Sequence, residues 1–439
     1  MTHAPIPIAH VLNTAGLGGV PEAAWQLLTR LPAERWARHL YVMSPPAATA
    51  DQSDRATEAR LERLARFEAA GIRIGGLAGP AGPAGPYARQ AAFAAWLHEH
   101  RIALVHTHSY KPNLEARMHA IALGPPGLPL VAHYHNQYDN KWQADGSLGL
   151  DRRLAARSAA LVACSAAVAR HVEERLSLAS GDVGVVPNGV DGQRFHPAAS
   201  AGDRLAARRR LVAQWGGAAD DTSLAIQPWI ALVGRLCRQK GQDLLVQAAA
   251  RLRQAHPDAR WLLVGSADDN RTREDLLAQA RALGLADDRL LLPGHVQDMP
   301  SLYHAIDLLA APSRWEGFGL MLVEAMACGT PIVASRAGAI PEVVGDDRAG
   351  TGLGPAEMVE ADDVGALVTG LDVMLRDPAR RTARGAAGPA RAARLGWQHS
   401  ADRLDALYRR LLQVPPAPGI ATGIATGIAA SVAASKPAT

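Results

Sequence analysis

Short apolar runs alternate with longer amphipathic ones twice along this chain, and that doubled grammar constrains the fold more than any single residue. In the first half "IPIAHVLN", "RHLYVMS", "IALVHTH", "LPLVAHYH", "AALVACS" and "VGVVPN" read as strands. Between them "PEAAWQLLTRL", "ATEARLERLARFEAAG", "YARQAAFAAWLHEHR" and "AAVARHVEERL" carry helical periodicity. Strands alternating with helices imply βαβ units and a parallel sheet. After "VPNGVDGQRFHP" the pattern gives way to a polar, arginine-rich connection, residues 192–227, and then resumes with "WIALVG", "ARWLLVGS", "RLLLPG", "DLLAAPS" and "TPIVAS". The predicted fold class is α/β, with two Rossmann-like doubly wound domains over residues 1–191 and 228–395. Two such sheets facing each other would form a cleft, with ligands at the carboxyl ends of the strands.

The chain of 439 residues is long enough for two domains with sizeable cores. Its 48% hydrophobic and 20% charged residues exclude a disordered protein. The formal net charge is +4 with no long basic run, so no nucleic-acid partner is expected. Arginines alternate with glutamates, as in "EARLERLARFE"; a solvated helix face is the plain reading and contact with anionic lipid headgroups the sharper one. Cys164, Cys237 and Cys328 form no CxxC pair, which argues against a disulfide scaffold or zinc site and fits a reducing compartment. The N-terminus carries no secretory pattern, so a cytoplasmic protein is expected, with peripheral contact at the inner face of the cytoplasmic membrane as its variant. Residues 414–439, with their GIAT repeat, read as a disordered low-complexity tail.

Three motifs stand at strand ends. After "IAHVLN", Gly16, Gly18 and Gly19 precede Pro21, which suits a first helical position, and bare amides there would hold a phosphate. A dinucleotide fingerprint is the rival, but the second strand end, "RHLYVMSPP", lacks the acidic residue that fingerprint needs. After "WIALVG", the segment "GRLCRQKG" sets Arg235 and Lys240 beside a helix start, where two cations suit a diphosphate; two solvated loop cations are the plain alternative. The third motif is "SRWEGFGLMLVEAMACGTPIVAS", Ser313 to Ser335. It places Glu316 on a loop and Glu324 on the following short helix, with a glycine-rich phosphate cradle between them. Glu324 would bind a vicinal diol such as a ribose, and Glu316 sugar hydroxyls; a paired acid and base for hydrolysis is the rival.

These strings together resemble the retaining glycosyltransferases of GT-B fold, group 4 in the usual sequence classification. The resemblance covers most of the chain and rests above all on "EGFGLMLVEAMACGTPIVAS", supported by "GLGGVPEAAWQLL", "LVHTHSYKPN", "GRLCRQKG" and "MPSLYHAIDLLAAPS". It implies a hexosyltransferase of the EC 2.4 type that takes a nucleotide-diphosphate sugar, UDP-hexose first and GDP-mannose second. It implies no cofactor and no metal, the nucleotide sugar being a co-substrate. The implied acceptor is a glycan or lipid-linked glycan in bacterial cell-surface polysaccharide or lipopolysaccharide assembly, with a small metabolite as the alternative. Residues 396–413 are expected to form a helix crossing back to the first domain.

Carried onto this chain, the resemblance assigns the diphosphate to Arg235, Lys240 and the amides around Gly319 and Leu320, with Gly317 and Phe318 in the same loop. Gly18 and Gly19 close from the first domain, Glu324 binds the ribose, and Glu316 contacts the transferred sugar. Eleven of the 16 histidines lie in residues 1–191. His135, at the end of "LPLVAHYH", is the candidate for the reaction centre, and strand alternation is expected to turn His133 away. His108, Asn136 and Tyr138 are the acceptor candidates. Retention fits a front-side displacement in which the leaving diphosphate takes the acceptor proton. A nucleotide-sugar epimerase or hydrolase, a phosphorylase and a non-catalytic sugar-nucleotide binder are the rival classes.

Overall fold

The computed structural model describes residues 4–16, 18–44, 54–76, 86–215, 227–267, 270–285, 289–345 and 354–414. The predicted tail, apart from residue 414, and part of the predicted connection lie outside them. The chain divides into two compact units, one of residues 1–164, 168–186 and 398–439, the other of residues 165–167 and 187–397.

The first unit holds seven strands: β1 (Ile6–Leu12), β2 (Trp36–Val42), β3 (Arg73–Gly75), β4 (Leu104–His108), β5 (Leu130–Tyr134), β6 (Ala160–Ala163) and β7 (Val183–Val185). Their order is β3-β2-β1-β4-β5-β6-β7 and every pairing is parallel. The doubly wound architecture read from the sequence is present, with the order reversing between β1 and β4. Alternation along the strands builds two cores. Ala9, Val11, Tyr41 and Val105 pack with Phe93, Leu97, Ala116 and Ala120 of the helices Pro86–Glu99 and Tyr110–Leu123. Leu12, Leu40 and Val42 pack on the other side with Ala24, Leu28, Leu64 and Phe67 of the helices Gly19–Arg30 and Asp54–Ala69.

The second unit holds six strands: β8 (Trp229–Val233), β9 (Arg260–Val264), β10 (Leu290–Gly294), β11 (Leu308–Ala311), β12 (Ile332–Ser335) and β13 (Ala356–Val359). Their order, β10-β9-β8-β11-β12-β13, is again wholly parallel and reverses between β8 and β11. Residues 201–214, inside the stretch read as a connection, form a helix of this unit. Its Arg208 is buried, donates to the Ala305 carbonyl at 2.7 Å and pairs with Asp307 at 2.5 Å. Asp307 also accepts from the Trp229 amide at 2.8 Å and so fixes the start of β8.

The helix Trp397–Leu411 contributes residues 398 onward to the first unit. Asp405 accepts from Arg35 and from the Trp36 indole, each at 2.7 Å, and Tyr408 is fully buried. No helix among the described residues is long and apolar enough to cross a membrane.

Beneath β5 lies an ion pair without solvent access. Arg117 and Asp151 meet at 2.5 Å with 0% and 1% of their side chains exposed. Tyr134 Oη donates to Asp151 at 2.8 Å and Trp142 Nε1 at 3.2 Å, while Arg117 donates to Ser158 at 3.0 Å and to the Asn113 carbonyl. Asp151→Asn keeps the shape and leaves the guanidinium without its counter-charge. Chemical denaturation of the variant should show a loss of about 3–5 kcal/mol, the usual cost of halving a buried pair. A loss below about 1 kcal/mol would mean that water reaches the site.

Candidate functional site

In the second unit the site grows from the ends of β8 and β11. A 3-10 turn at Arg238–Lys240 follows β8 and leads into the helix Gln242–Leu252. Gln242 closes this loop on itself: its Nε2 donates to the Arg235 carbonyl at 2.9 Å and its Oε1 accepts from the Cys237 amide at 3.3 Å. The Arg314 amide donates to the Gln239 carbonyl at 2.8 Å, and Gln239 Nε2 to the Trp315 carbonyl at 3.1 Å, which ties this turn to the loop after β11. Arg314 clamps the same loop through both oxygens of Asp243, at 2.8 and 2.7 Å, and through Asp362 at 2.7 Å.

This framework brings Lys240 and Glu316 together. Lys240 Nζ lies 2.6 Å from Glu316 Oε1, which also accepts from Ser313 Oγ at 2.8 Å. Glu316 is buried at 5% exposure, whereas Arg235 is solvent-exposed. The sequence reading gave Lys240 and Glu316 to different parts of a ligand; here they touch. Gly338, at φ +53°, lets the chain pass against the Glu316 backbone, where a Cβ would come within 2.3 Å of its carbonyl oxygen.

Gly317 and the buried Phe318 lead to Gly319, which opens the helix Leu320–Ala327. No side chain caps that helix and its first turn holds no acidic residue. Its leading amides therefore offer themselves to an anion. Glu324, on the same helix, accepts from Tyr303 Oη at 2.8 Å. Burial, and then the Glu324 charge, hold the Tyr303 hydroxyl well above its ordinary range and push the Cys328 thiol up to about 12.

In the first unit Gly18 precedes the helix Gly19–Arg30, again without a side-chain cap. The helix begins at Gly19, so Pro21 stands in the first turn and not at the first position. Across the sheet five histidines share one face. His10 of β1 is in register with His106 of β4, and His108 of β4 with His133 of β5. Residues two apart on a strand face the same way. The expectation that His133 turns away from His135 is therefore wrong: their rings stack with centroids 4.0 Å apart. His108 contacts His135 Nε2 through Nδ1 at 3.0 Å and His10 Nδ1 through Nε2 at 2.9 Å. It is fully buried with both ring nitrogens engaged, which removes it as an acceptor contact and places it behind His135.

Tyr138 is likewise inside. Its hydroxyl accepts from the His135 amide at 3.1 Å and reaches Ser109 Oγ at 3.3 Å, so it supports His135 and presents no polar group of its own to an acceptor. Asn136 is half-buried, and its Oδ1 accepts from the Gln137 amide at 2.9 Å. Sequence reasoning missed His10 and Tyr408, which join this cluster, and Tyr303, Ser313 and Arg314, which shape the other. A histidine in the middle of the apolar run "IPIAHVL" was the available signal for the first.

Burial pushes His10 and His135 down to about 3 and holds His106, His108 and His133 well below the ordinary range, so all five rings are neutral. Mutual repulsion adds to the effect for the last three. The Val186 backbone favours the charged form of His133, without a hydrogen bond of ordinary geometry to either ring nitrogen.

Two family descriptions match the chain: "Glycosyltransferase Family 4" over residues 17–194 and "Glycosyl transferases group 1" over residues 227–377. A D-inositol 3-phosphate glycosyltransferase of Segniliparus rotundus is 34% identical over 330 residues, 73% of this chain and 68% of that protein. A GDP-mannose-dependent alpha-(1-6)-phosphatidylinositol monomannoside mannosyltransferase of Mycolicibacterium smegmatis is 33% identical over 232 residues, 50% of this chain and 55% of that protein. In fold, the chain resembles Anabaena HepE, solved with UDP and glucose, at a TM-score of 0.72 and 20% identity over 92% of this chain and 100% of that one.

The neutral cluster has a pH signature. Unfolded, each ring regains its ordinary value of 6.5 and takes up a proton that the folded state refuses. Stability is therefore complete above 6.5 and falls as the pH drops, by about 1.4 kcal/mol per pH unit for each ring. Denaturant midpoints should hold steady above pH 7 and fall steeply between roughly pH 6.5 and 5, before most carboxylates titrate. Uptake of less than one proton on unfolding in that window would show that the rings are charged in the folded protein.

Proposed function

The chain belongs to the group 1, family 4 glycosyltransferases, and from that premise we propose that it moves a hexosyl group from a nucleotide-diphosphate sugar to a hydroxyl acceptor with retention at the anomeric carbon. The observation that carries this reading is the set built at the ends of β8 and β11: Lys240 against Glu316, with the uncapped helix at Gly319 beyond them. A lysine ammonium has three donors, so Lys240 is able to keep Glu316 and still meet a phosphate oxygen. Arg235 and Lys240 take the diphosphate with the amides of Gly319 and Leu320. Glu324, oriented by Tyr303, accepts from the two ribose hydroxyls, and Glu316 accepts from the transferred sugar. Positioned donors of this kind are commonly worth about 10²–10³-fold each.

In the proposed step the acceptor oxygen bonds to the anomeric carbon on the face from which the diphosphate departs. The bond from that carbon to the phosphate oxygen breaks, and the acceptor proton passes to the departing phosphate. No protein base is then required, in keeping with imidazoles that burial makes poor proton acceptors. UDP-hexoses are the first donors to assay and GDP-mannose, named for the Mycolicibacterium relative, the second. For the acceptor, the name of the Segniliparus relative favours the small-metabolite alternative over a lipid-linked glycan, and an inositol phosphate is the first to try.

Glu324→Gln should fold normally and bind nucleoside diphosphate sugars more weakly in calorimetry, because a neutral amide accepts a diol less strongly than a carboxylate. Unchanged affinity would remove Glu324 from the ribose site. His135→Ala should keep nucleoside-diphosphate affinity within a few-fold and lose single-turnover transfer by roughly 10²-fold, the scale of one positioned catalytic group. Transfer should persist in EDTA; its complete loss and recovery on adding a divalent ion would contradict the metal-free reading.

A further inference from the structure

Four histidines and one tyrosine of the first unit form an unbranched hydrogen-bonded chain. It runs from His135 Nε2 to His108 Nδ1 at 3.0 Å, and from His108 Nε2 to His10 Nδ1 at 2.9 Å. His10 Nε2 then meets Tyr408 Oη at 2.9 Å, and that hydroxyl meets His106 Nδ1. The two ends, His135 Nδ1 and His106 Nε2, have no hydrogen-bond partner. His133 stacks on His135 and stands outside the chain.

The proton count of such a chain is fixed. Burial keeps the four imidazoles neutral and holds the Tyr408 phenol protonated, so each of the five groups carries one mobile proton. Four links hold one proton apiece, because two in one link collide and none leaves two lone pairs facing each other. The Tyr408 proton, buried with only its two ring partners in reach, stays in a link, so the fifth proton sits at an end. Only two arrangements then satisfy every link. In one, all four rings are Nδ1–H and His135 points an N–H outward. In the other, all four are Nε2–H and His135 points a bare lone pair outward.

The ends differ in environment. His106 is fully enclosed, whereas His135 alone among the five clustered histidines retains exposure, at 8%. The nitrogen at each end is covered, but His135 lies nearer the surface than His106. A buried N–H without a partner is harder to tolerate than a bare acceptor, so the spare proton belongs at the end nearer the surface, where a ligand would meet it. We propose that His108, His10 and Tyr408 are positioning residues that hold His135 as its Nδ1–H tautomer, making it a neutral hydrogen-bond donor to an oxygen of its ligand. The link to catalysis rests on the placement of His135 at the reaction centre under the proposed function; the tautomer itself does not.

Long-range proton–nitrogen NMR on the full chain, labelled with ring-nitrogen-15 histidine, reads each tautomer directly. His135, His108, His10 and His106 should all show a protonated Nδ1 and a bare Nε2. Tyr408→Phe keeps the ring, which packs edge-on to Trp36 at 5.8 Å, and deletes the bridging hydroxyl. In that variant His10 and His135 should drift toward mixed tautomers, and kcat should fall by roughly tenfold while donor KM stays within about twofold. Nε2–H on His135, or a mixture of tautomers among the four wild-type rings, overturns the proposal. So does a stoichiometric transition metal in the purified protein whose chelation shifts these resonances, since the nitrogens would then be ligands. A uniform Nδ1–H set beside a silent His135→Ala supports the chain and retires only the catalytic placement of His135.

Discussion

Register between parallel strands is the constraint on which the first unit's chemistry depends. In-register neighbours project to one face, and a strand returns to that face every second residue. Pairing His10 with His106 and His108 with His133 therefore commits five imidazoles, His135 included, to a single patch. A slip of one residue in β4 would send two of them into the apolar layer beneath the helices Pro86–Glu99 and Tyr110–Leu123. Burial then decides their state. Charged rings so close together and so far from water would be intolerable, and neutral ones are left to satisfy one another.

The two units solve the problem of polar groups at strand ends by opposite means. The first uses neutral rings and hydroxyls whose value lies in direction, backed by one enclosed pair, Arg117 with Asp151. The second uses charge. Lys240 with Glu316 and Arg314 with Asp243 are held in short ionic contacts at the ends of β8 and β11. Attraction across such contacts is modest while water is near and grows when a ligand displaces it.

The strands were legible because both sheets are parallel and covered on both faces, which forces continuous apolar runs into the sequence. The strands that escaped notice, β3 and β13, are edges of only three and four residues, each carrying a charged side chain. The helix Ala201–Gln214 was hidden by its arginines, one of which turns inward to Asp307, a partner 99 residues away. Glu316 and Glu324 were legible as a spaced pair, but their neighbours were not. Lys240 reaches Glu316 across 76 residues and Tyr408 reaches His10 across 398, distances over which no local pattern carries information. His133 stands two residues from His135, so the alternation of a strand puts both on one face.

The return of the helix Trp397–Leu411 to the first unit bears on how the protein is made. Asp405 satisfies the Trp36 indole and Tyr408 completes the histidine array, so the first sheet borrows parts from nearly the last described residues of the chain. Domains ordinarily fold in the order they leave the ribosome. Here the unit begun first is finished last: the second unit emerges whole while its predecessor still waits with an open seam and unmatched ring nitrogens. Nascent chains of this protein therefore pass through an interval in which one half is complete and the other needs protection, and a stop codon ahead of the helix Trp397–Leu411 would do its damage at the opposite end of the sequence.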